Sequence, residues 1–232
     1  VARLTRDGRA VYGDILFSVR LLGKEDDIMT DILASSEVLA NASLNAIVLR
    51  REEVSPGLII LRVAPENWEC GEFQPGQFAV LGLPLSAKRH ASSDADVESD
   101  EADDKIVKRA YSVASSSLSR EYLEFYIVLV PSGALTPRLF ALAPGDRLWM
   151  GQKFSGLFTL EQVPKDQHVV LIATGTGLAP YISMVRSSLT CGGPRQFAVL
   201  HGARHSWELG YRSELETLGH ICPNFTYVPS IS

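Results

Sequence analysis

Cysteine is scarce. The chain has three in 232 residues, Cys70, Cys191 and Cys222, far apart and never in Cys-x-x-Cys spacing. That pattern predicts free thiols in a reducing compartment and argues against a disulfide framework or a zinc site. Long apolar runs are also absent. The longest are strand-sized, so no transmembrane helix and no membrane insertion are expected. The first residues, Val1 to Asp7, are polar and lack the apolar stretch of a signal peptide. No Ser-His-Asp or Cys-His arrangement outweighs coincidence, and no nucleic-acid motif is present. His201 and His205 have the i, i+4 spacing of a helical metal pair. They fall on a strand end and a loop with no carboxylate in support, so no metal site is expected. Asn41-Ala42-Ser43 and Asn224-Phe225-Thr226 match the glycosylation sequon by chance in a chain read as cytoplasmic.

What is present divides the chain. Residues 1–44 read as an N-terminal extension. Residues 1–28 show no sustained periodicity, and Met29 opens a plausible second start. A short helix is expected from Thr30 to Asn41. From Asn45 short apolar segments alternate with Pro/Gly turns. Strands are expected at 46–50, 58–63, 77–82, 109–114, 123–130, 147–150 and 156–160. This spacing predicts an antiparallel β barrel or sandwich over residues 45–163. Thr136 to Leu142 reads as a short helix, with Thr136 as N-cap and Pro137 at its first position. Residues 86–105 interrupt the pattern. Rich in Ser, Ala, Asp and Glu, they read as a solvated, mobile loop. Seven acids fall between Asp94 and Asp104, and removing them from the net charge of −5 leaves +2. The body is therefore mildly basic, compatible with an acidic macromolecular partner.

From 164 to 232 the text changes again. Strands at 169–173, 196–200 and 225–228 alternate with helices at 180–189 and 206–218, which predicts a parallel α/β sheet of Rossmann type. Val169-Val170-Leu171-Ile172-Ala173 has no polar alternation, as expected of a strand buried on both faces. It runs into Thr174-Gly175-Thr176-Gly177-Leu178-Ala179-Pro180. Two glycines allow a tight turn and close backbone approach, and Pro180 suits a first helical turn. Strand, glycine turn and helix start together form an anion site, with a plain tight turn as the alternative. Upstream, Arg109-Ala110-Tyr111-Ser112 offers a guanidinium, an aromatic face and a hydroxyl along one strand. In an ideal strand Arg109 and Tyr111 share one side and Ser112 takes the other. On chemistry alone an ordinary strand, with one exposed Arg and one packed Tyr, is the favoured reading.

The combination resembles the ferredoxin–NADP reductase family, and most closely its bacterial ferredoxin/flavodoxin–NADP reductases. Four segments carry the resemblance in order: Gly76-Gln77-Phe78; Arg109-Ala110-Tyr111-Ser112; Pro131 to Leu139 with Pro144-Gly145-Asp146; and Ala173 to Pro180. It covers roughly residues 45–232. The resemblance implies an FAD-binding barrel followed by an NADP-binding α/β domain. It implies that Arg109, beside Ala110, neutralises the FAD pyrophosphate. Tyr111 would stack on the isoalloxazine, and Ser112 would hydrogen-bond near flavin N5, making these two the catalytic pair. Tyr126, Ile127 and Val128 would line the adenine and ribose side. Ala134, Leu135 and Thr136 would meet the pyrophosphate, and Thr176 would sit where flavin and nicotinamide meet. Ala203 and Arg204 would contact the 2′-phosphate half of NADP(H), Arg204 favouring NADP over NAD. Arg212 is a weaker second candidate. Tyr227 to Ser232 resembles the family's third α/β strand running toward a Ser-Arg motif, with Ser232 as its serine.

Family members continue beyond this point, so the sequence reads as C-terminally truncated. The implied activity is hydride transfer with NADPH through FAD, coupled to one-electron transfer with ferredoxin or flavodoxin, by a cytoplasmic monomer. Two rival readings remain: an NAD(P)H-dependent flavin reductase or oxygenase reductase component, and a non-catalytic flavin-binding electron carrier.

Overall fold

The computed structural model describes residues 44–95 and 105–232, with three short strands nearer the N-terminus. The chain divides into two units, Val1–Leu39 and Ala40–Ser232. The first holds β1 (Arg3–Leu4), β2 (Arg9–Tyr12) and β3 (Ile15–Ser18), an antiparallel sheet in that order, where the sequence predicts no element. The helix expected at 30–41 lies outside the described residues.

The second unit begins with a six-stranded antiparallel sheet. Its strands are β4 (Ala46–Ser55), β5 (Leu58–Pro65), β6 (Phe78–Pro84), β7 (Ile106–Ser112), β8 (Leu123–Val128) and β9 (Arg147–Met150), in the order β7-β6-β9-β4-β5-β8. The outer strands meet where Val113, just past β7, bridges Phe125 of β8, and Ala114 N–H donates to the Glu124 carbonyl at 2.7 Å. Inside lies one core of alternate side chains, among them Ile59, Leu61, Val63, Leu81, Phe125 and Leu148. Leu58, Ile60 and Tyr126 leave the opposite face of β5 and β8 and enter a second core with Leu171, Ile182 and Val199. The second half thus packs on the outside of β5 and β8. That explains the unalternating Leu58-Ile59-Ile60-Leu61, since a strand covered on both faces needs apolar residues on both.

That second half has three parallel strands, β10 (Val169–Thr174), β11 (Phe197–Ala203) and β12 (Phe225–Ile231), ordered as in sequence. α1 (Thr136–Phe140) belongs to the first half, and α2 (Ala179–Ser188) and α3 (Arg212–Ile221) to the second. The predicted order of an antiparallel sheet followed by a parallel α/β sheet is what the chain adopts. Among the described residues no helix is long and apolar enough to cross a membrane.

Several local expectations are corrected. β10 is buried on one face only. Val170 and Ile172 are 62% and 67% exposed, because no described element covers that side of the sheet. No strand forms at 156–160. Ser155 bridges Phe78, and the chain then leaves the sheet to cross the turn at Gly76, against which the Phe158 carbonyl sits. The helix expected at 206–218 is a 3-10 turn, Ser206–Glu208, followed by α3. Between them Gly210 N–H is drawn to the Tyr126 hydroxyl at 3.1 Å, and Tyr211 turns left-handed at φ 60°. Leu135, not Thr136, caps α1. The Thr136 hydroxyl instead ties back to Val130, accepting from its N–H at 3.0 Å and donating to its carbonyl at 3.2 Å.

Residues 86–95 are docked rather than loose. His90 N–H donates to the Pro137 carbonyl at 2.9 Å, and Arg89 reaches the carbonyls of Gly133 and Pro131 at 3.0 and 3.1 Å. The rest of the acidic insert up to Asp104 lies outside the described residues. Cys191 and Cys222 form a disulfide rather than free thiols. It joins the loop after α2 to the end of α3 with Cα atoms 4.7 Å apart, while Cys70 remains a buried free thiol. Asn224 is buried and saturated by Gly192, Thr190 and Arg195, so its sequon offers no open amide.

Candidate functional site

The carboxyl ends of the parallel strands open onto a cleft of about 880 Å³. Thr174, Gly175 and Thr176 enter from β10, Gly202, Ala203 and Arg204 from β11, and Ser230 and Ser232 from β12. This is where open parallel sheets bind ligands, since loops diverge there and helix N-termini face inward. The apolar run of β10 ends in a 3-10 turn, Gly175–Leu178, which passes directly into α2 with Pro180 in the first turn. Gly175 has φ +52°, and a Cβ on it would find nothing within 4 Å. A left-handed turn with free space above it is the shape a phosphate needs to approach backbone N–H groups. The Arg204 guanidinium is exposed and has no hydrogen-bond or ion-pair partner among the described residues. Its neighbours are more constrained. His205 stacks on Trp207 at 4.5 Å, its carbonyl accepts the backbone N–H of the cleft residue Glu208 at 3.0 Å, and the Glu208 carboxylate receives the His205 N–H at 3.1 Å.

The opposite wall comes from the first half. Val128 and Leu129 end β8, Ser55 to Leu58 form the β4–β5 hairpin, and Arg51 and Glu53 stand on β4. Arg51 faces the Phe140 ring at 6.0 Å and Glu53 at 3.5 Å, and its Nε is buried without a partner. Sequence reasoning missed Arg51, Glu53, His90 and Ser92. The first strand was expected to stop at Arg50, and only its true length to Ser55 carries the charged residues to the cleft.

Of the residues singled out in the sequence, the cleft gathers Val128, Thr176, Ala203, Arg204 and Ser232. Ser232 is held in place by its N–H donating to the Ala203 carbonyl at 3.1 Å. Tyr126 and Ile127 lie in the core, 3% and 1% exposed, because both faces of β8 are covered. The Tyr126 hydroxyl donates to the Glu208 carbonyl at 3.2 Å, which fixes the loop behind Arg204.

Arg109, Ala110, Tyr111 and Ser112 lie on β7, outside this cleft. Arg109 is exposed, and among the described residues its guanidinium donates only to the Lys108 carbonyl at 2.8 Å. Tyr111 is half-buried. Burial pushes its phenol up to about 12, while the Arg109 charge pulls the other way, as expected of neighbours on one side of a strand. β7 leads into a segment bonded to α2. Arg186 donates to the Ala114 carbonyl at 3.0 Å, Ser183 to the Ser115 carbonyl at 2.8 Å, and Ser117 N–H to the Ser187 hydroxyl at 2.9 Å. The Arg-x-Tyr-Ser strand is therefore fastened to the helix that the Gly-Thr-Gly turn begins. Ala134, Leu135 and Thr136 sit at the start of α1, with Leu135 buried.

His201 and His205 do not converge on a metal, and no such cluster occurs among the described residues. His201 is buried on β11. Its Nδ1 lies 3.2 Å from the Tyr227 hydroxyl, and its Nε2 has no partner. Burial pulls its pKa down to about 4. In the unfolded chain the imidazole titrates near about 6.5. A depressed folded-state value means stability is complete above that pH and is lost as the pH falls from there toward 4. The loss amounts to about 3 kcal/mol. The melting temperature is expected to drop across this window, and His201→Asn is expected to flatten the drop. Parallel profiles for the two proteins would rule His201 out as its source.

Residues 171–232 match the oxidoreductase NAD-binding domain family. The flavodoxin/ferredoxin–NADP reductase of Escherichia coli (strain K12) is 34% identical over 146 residues, 63% of this chain and 52% of that protein. Among solved structures, a ferredoxin NADP+ reductase from Neisseria gonorrhoeae with bound FAD and NADP aligns with a TM-score of 0.62 at 22% identity. It covers 81% of this chain and 67% of that one. The Amycolatopsis cytochrome P450 reductase GcoB aligns at 0.63 and 26% identity, covering 81% and 51%. These structures share the fold, an antiparallel sheet followed by a parallel α/β sheet. The chain spans about half the length of the curated relatives it matches. Over the residues they share, it is a sequence relative of the bacterial ferredoxin/flavodoxin–NADP reductases that its four motifs resemble.

Proposed function

We propose that the chain is the FAD- and NADP(H)-binding part of a ferredoxin/flavodoxin–NADP reductase, a flavoprotein oxidoreductase. The observation that carries this reading is the cleft at the carboxyl ends of β10 to β12. It offers a glycine turn for a phosphate and an unpartnered guanidinium, Arg204, for a second one. NADP differs from NAD by a 2′-phosphate, which needs such a cation, whereas NAD is usually met by a carboxylate. Ala203 and Ser232 complete that end of the site. Thr176 stands where the cleft meets the first half.

The flavin fits the other motif. Arg109 is exposed and, among the described residues, bonds only its neighbour's carbonyl, which leaves its guanidinium to pair with a pyrophosphate. Tyr111 stays protonated at neutral pH and presents a ring on the same side. Ser112 ends the strand, next to the segment bonded to α2. The N–H groups opening α1 at Ala134 to Thr136 are a second pyrophosphate contact. When bound, FAD takes up a hydride from NADPH and passes electrons on singly. The protein's part would be orientation: Tyr111 and Ser112 would hold the flavin ring, and Arg204 and Thr176 the nucleotide.

We place the flavin domain at 45–163 and the nucleotide domain at 164–232, with 1–44 as an extension. The acceptor is an acidic one-electron carrier, ferredoxin or flavodoxin, and the protein works as a cytoplasmic monomer. The Cys191–Cys222 disulfide favours an oxidising setting instead, and thiol titration of freshly lysed cells separates the two. The likeness to GcoB favours a second reading, a reductase serving an oxygenase, distinguished by which acceptor is reduced. Arg204→Ala tests the central assignment. Losing a charged phosphate contact is expected to raise KM for NADPH by about tenfold or more. KM for NADH is expected to stay level, and an equal rise for both would remove the 2′-phosphate role.

A further inference from the structure

Glu124 of β8 is the most constrained carboxylate among the described residues. Its side chain is 2% exposed, yet it is paired with two guanidinium groups. Burial alone would raise its pKa, but the charge of Arg186 and hydrogen bonds from Arg62, Arg186 and Tyr211 hold it below the ordinary carboxylate range. Arg62 Nε of β5 donates to it at 2.6 Å, Arg186 Nη1 of α2 at 2.7 Å, and the Tyr211 hydroxyl at 2.9 Å. Arg186 also makes a two-pronged pair with Glu214 of α3, both contacts at 2.7 Å, and lies over the Tyr211 ring at 5.2 Å.

Three features separate this cluster from ordinary surface pairing. It joins both halves, with β5 and β8 on one side and α2 and α3 on the other. It includes a residue in a costly backbone conformation, since Tyr211, whose hydroxyl bonds Glu124, sits at φ 60° and ψ 9°. Finally, a buried ion pair adds little net stability over a well-packed apolar replacement, but it fixes the directions of its partners. Such groups set geometry more than they hold a fold together.

The geometry sits beside the cleft. Tyr211 follows the loop that carries Arg204 and Glu208, and α2 follows the turn at Gly175. Glu124 is two residues before Tyr126, which ties the same loop at Glu208 and Gly210. We propose that Glu124 is a positioning residue: the Arg62–Glu124–Arg186–Tyr211 cluster fixes how the two halves are set against each other, and so sets the width of the cleft and the place of Arg204 within it. None of these four residues lines the cleft. The statement about cleft width stands on the structure alone, and its consequence for a 2′-phosphate rests on the proposed function.

The test uses the full chain, spin-labelled at the exposed positions Glu52 and His220 through Glu52→Cys and His220→Cys. Unsubstituted at Glu124, it is expected to give one narrow distance distribution between the labels. Glu124→Gln keeps the shape and removes the charge, and is expected to broaden or split that distribution. Tyr211→Phe removes one hydrogen bond and serves if Glu124→Gln does not fold. In either variant 2′,5′-ADP is expected to bind about 3- to 30-fold more weakly, with flavin content unchanged. A folded variant with an unaltered distance distribution overturns the proposal. Failure of the parent chain to bind 2′,5′-ADP overturns the functional reading instead, and the distance measurement still decides the role of Glu124.

Discussion

Gly76→Ala is expected to destabilise the protein by about 3 kcal/mol or more, a loss of roughly 10 °C in melting temperature for a unit of this size. Gly76 closes the turn Phe73-Gln74-Pro75-Gly76 with φ +105°, outside the range that side chains accept. A Cβ there would also lie 1.9 Å from the Phe158 carbonyl oxygen and 2.7 Å from the Met184 methyl. Met184 can rotate away, but the carbonyl cannot. Its segment is pinned three residues earlier by the paired bonds between Phe78 and Ser155, at 2.9 and 3.1 Å. The turn is closed from the other side by Gln77 N–H on the Gln74 carbonyl at 3.0 Å. Strain and clash therefore add. Gly71→Ala is the control, since its Cβ would meet nothing within 4 Å. Melting curves that coincide for the two variants would contradict the close crossing at Gly76.

Arg109→Ala is expected to weaken FAD retention by about 10- to 100-fold, the worth of a charge-assisted pair to a pyrophosphate. The folded protein itself is expected to be little changed, because the Arg109 guanidinium is exposed and, among the described residues, bonds only the adjacent carbonyl. This separation of effects makes the variant informative. The flavin-to-protein ratio after gel filtration is expected to fall while the melting temperature of the apoprotein stays within a degree or two. An unchanged ratio would remove Arg109 from the flavin site. Lys108→Ala, whose ammonium lies over the Trp149 ring at 3.7 Å, is a neighbouring control for loss of charge alone.

Most of the fold was legible because strand alternation and Pro/Gly turns follow local rules. Pro137 and Pro180 marked two helix starts correctly. What was lost depends on distant partners. Val169 to Ala173 reads as buried on both faces, since the sequence cannot say whether anything covers Val170 and Ile172. Gly156 to Leu160 has a strand's composition, but of this stretch only Ser155 bridges to Phe78, and the chain then has to cross Gly76. The family resemblance assigns Tyr126 to the adenine and ribose side of a flavin. The packing of the second half against β8 turned it inward. The site was half legible. Thr176, Ala203, Arg204 and Ser232 follow a strand-end rule and reach the cleft. Arg51 and Glu53 carry no motif and come to it only because β4 runs five residues beyond its expected end. Nothing local signalled the pairing of Cys191 with Cys222, which depends on where α2 and α3 finish.

The most direct measurement is the visible spectrum of the purified chain before and after anaerobic NADPH. The proposed function expects a yellow protein with flavin absorbance, bleached by NADPH and much more slowly by NADH. A colourless protein, or a yellow one that NADPH leaves unbleached, would contradict a flavin and NADPH site on this chain working together.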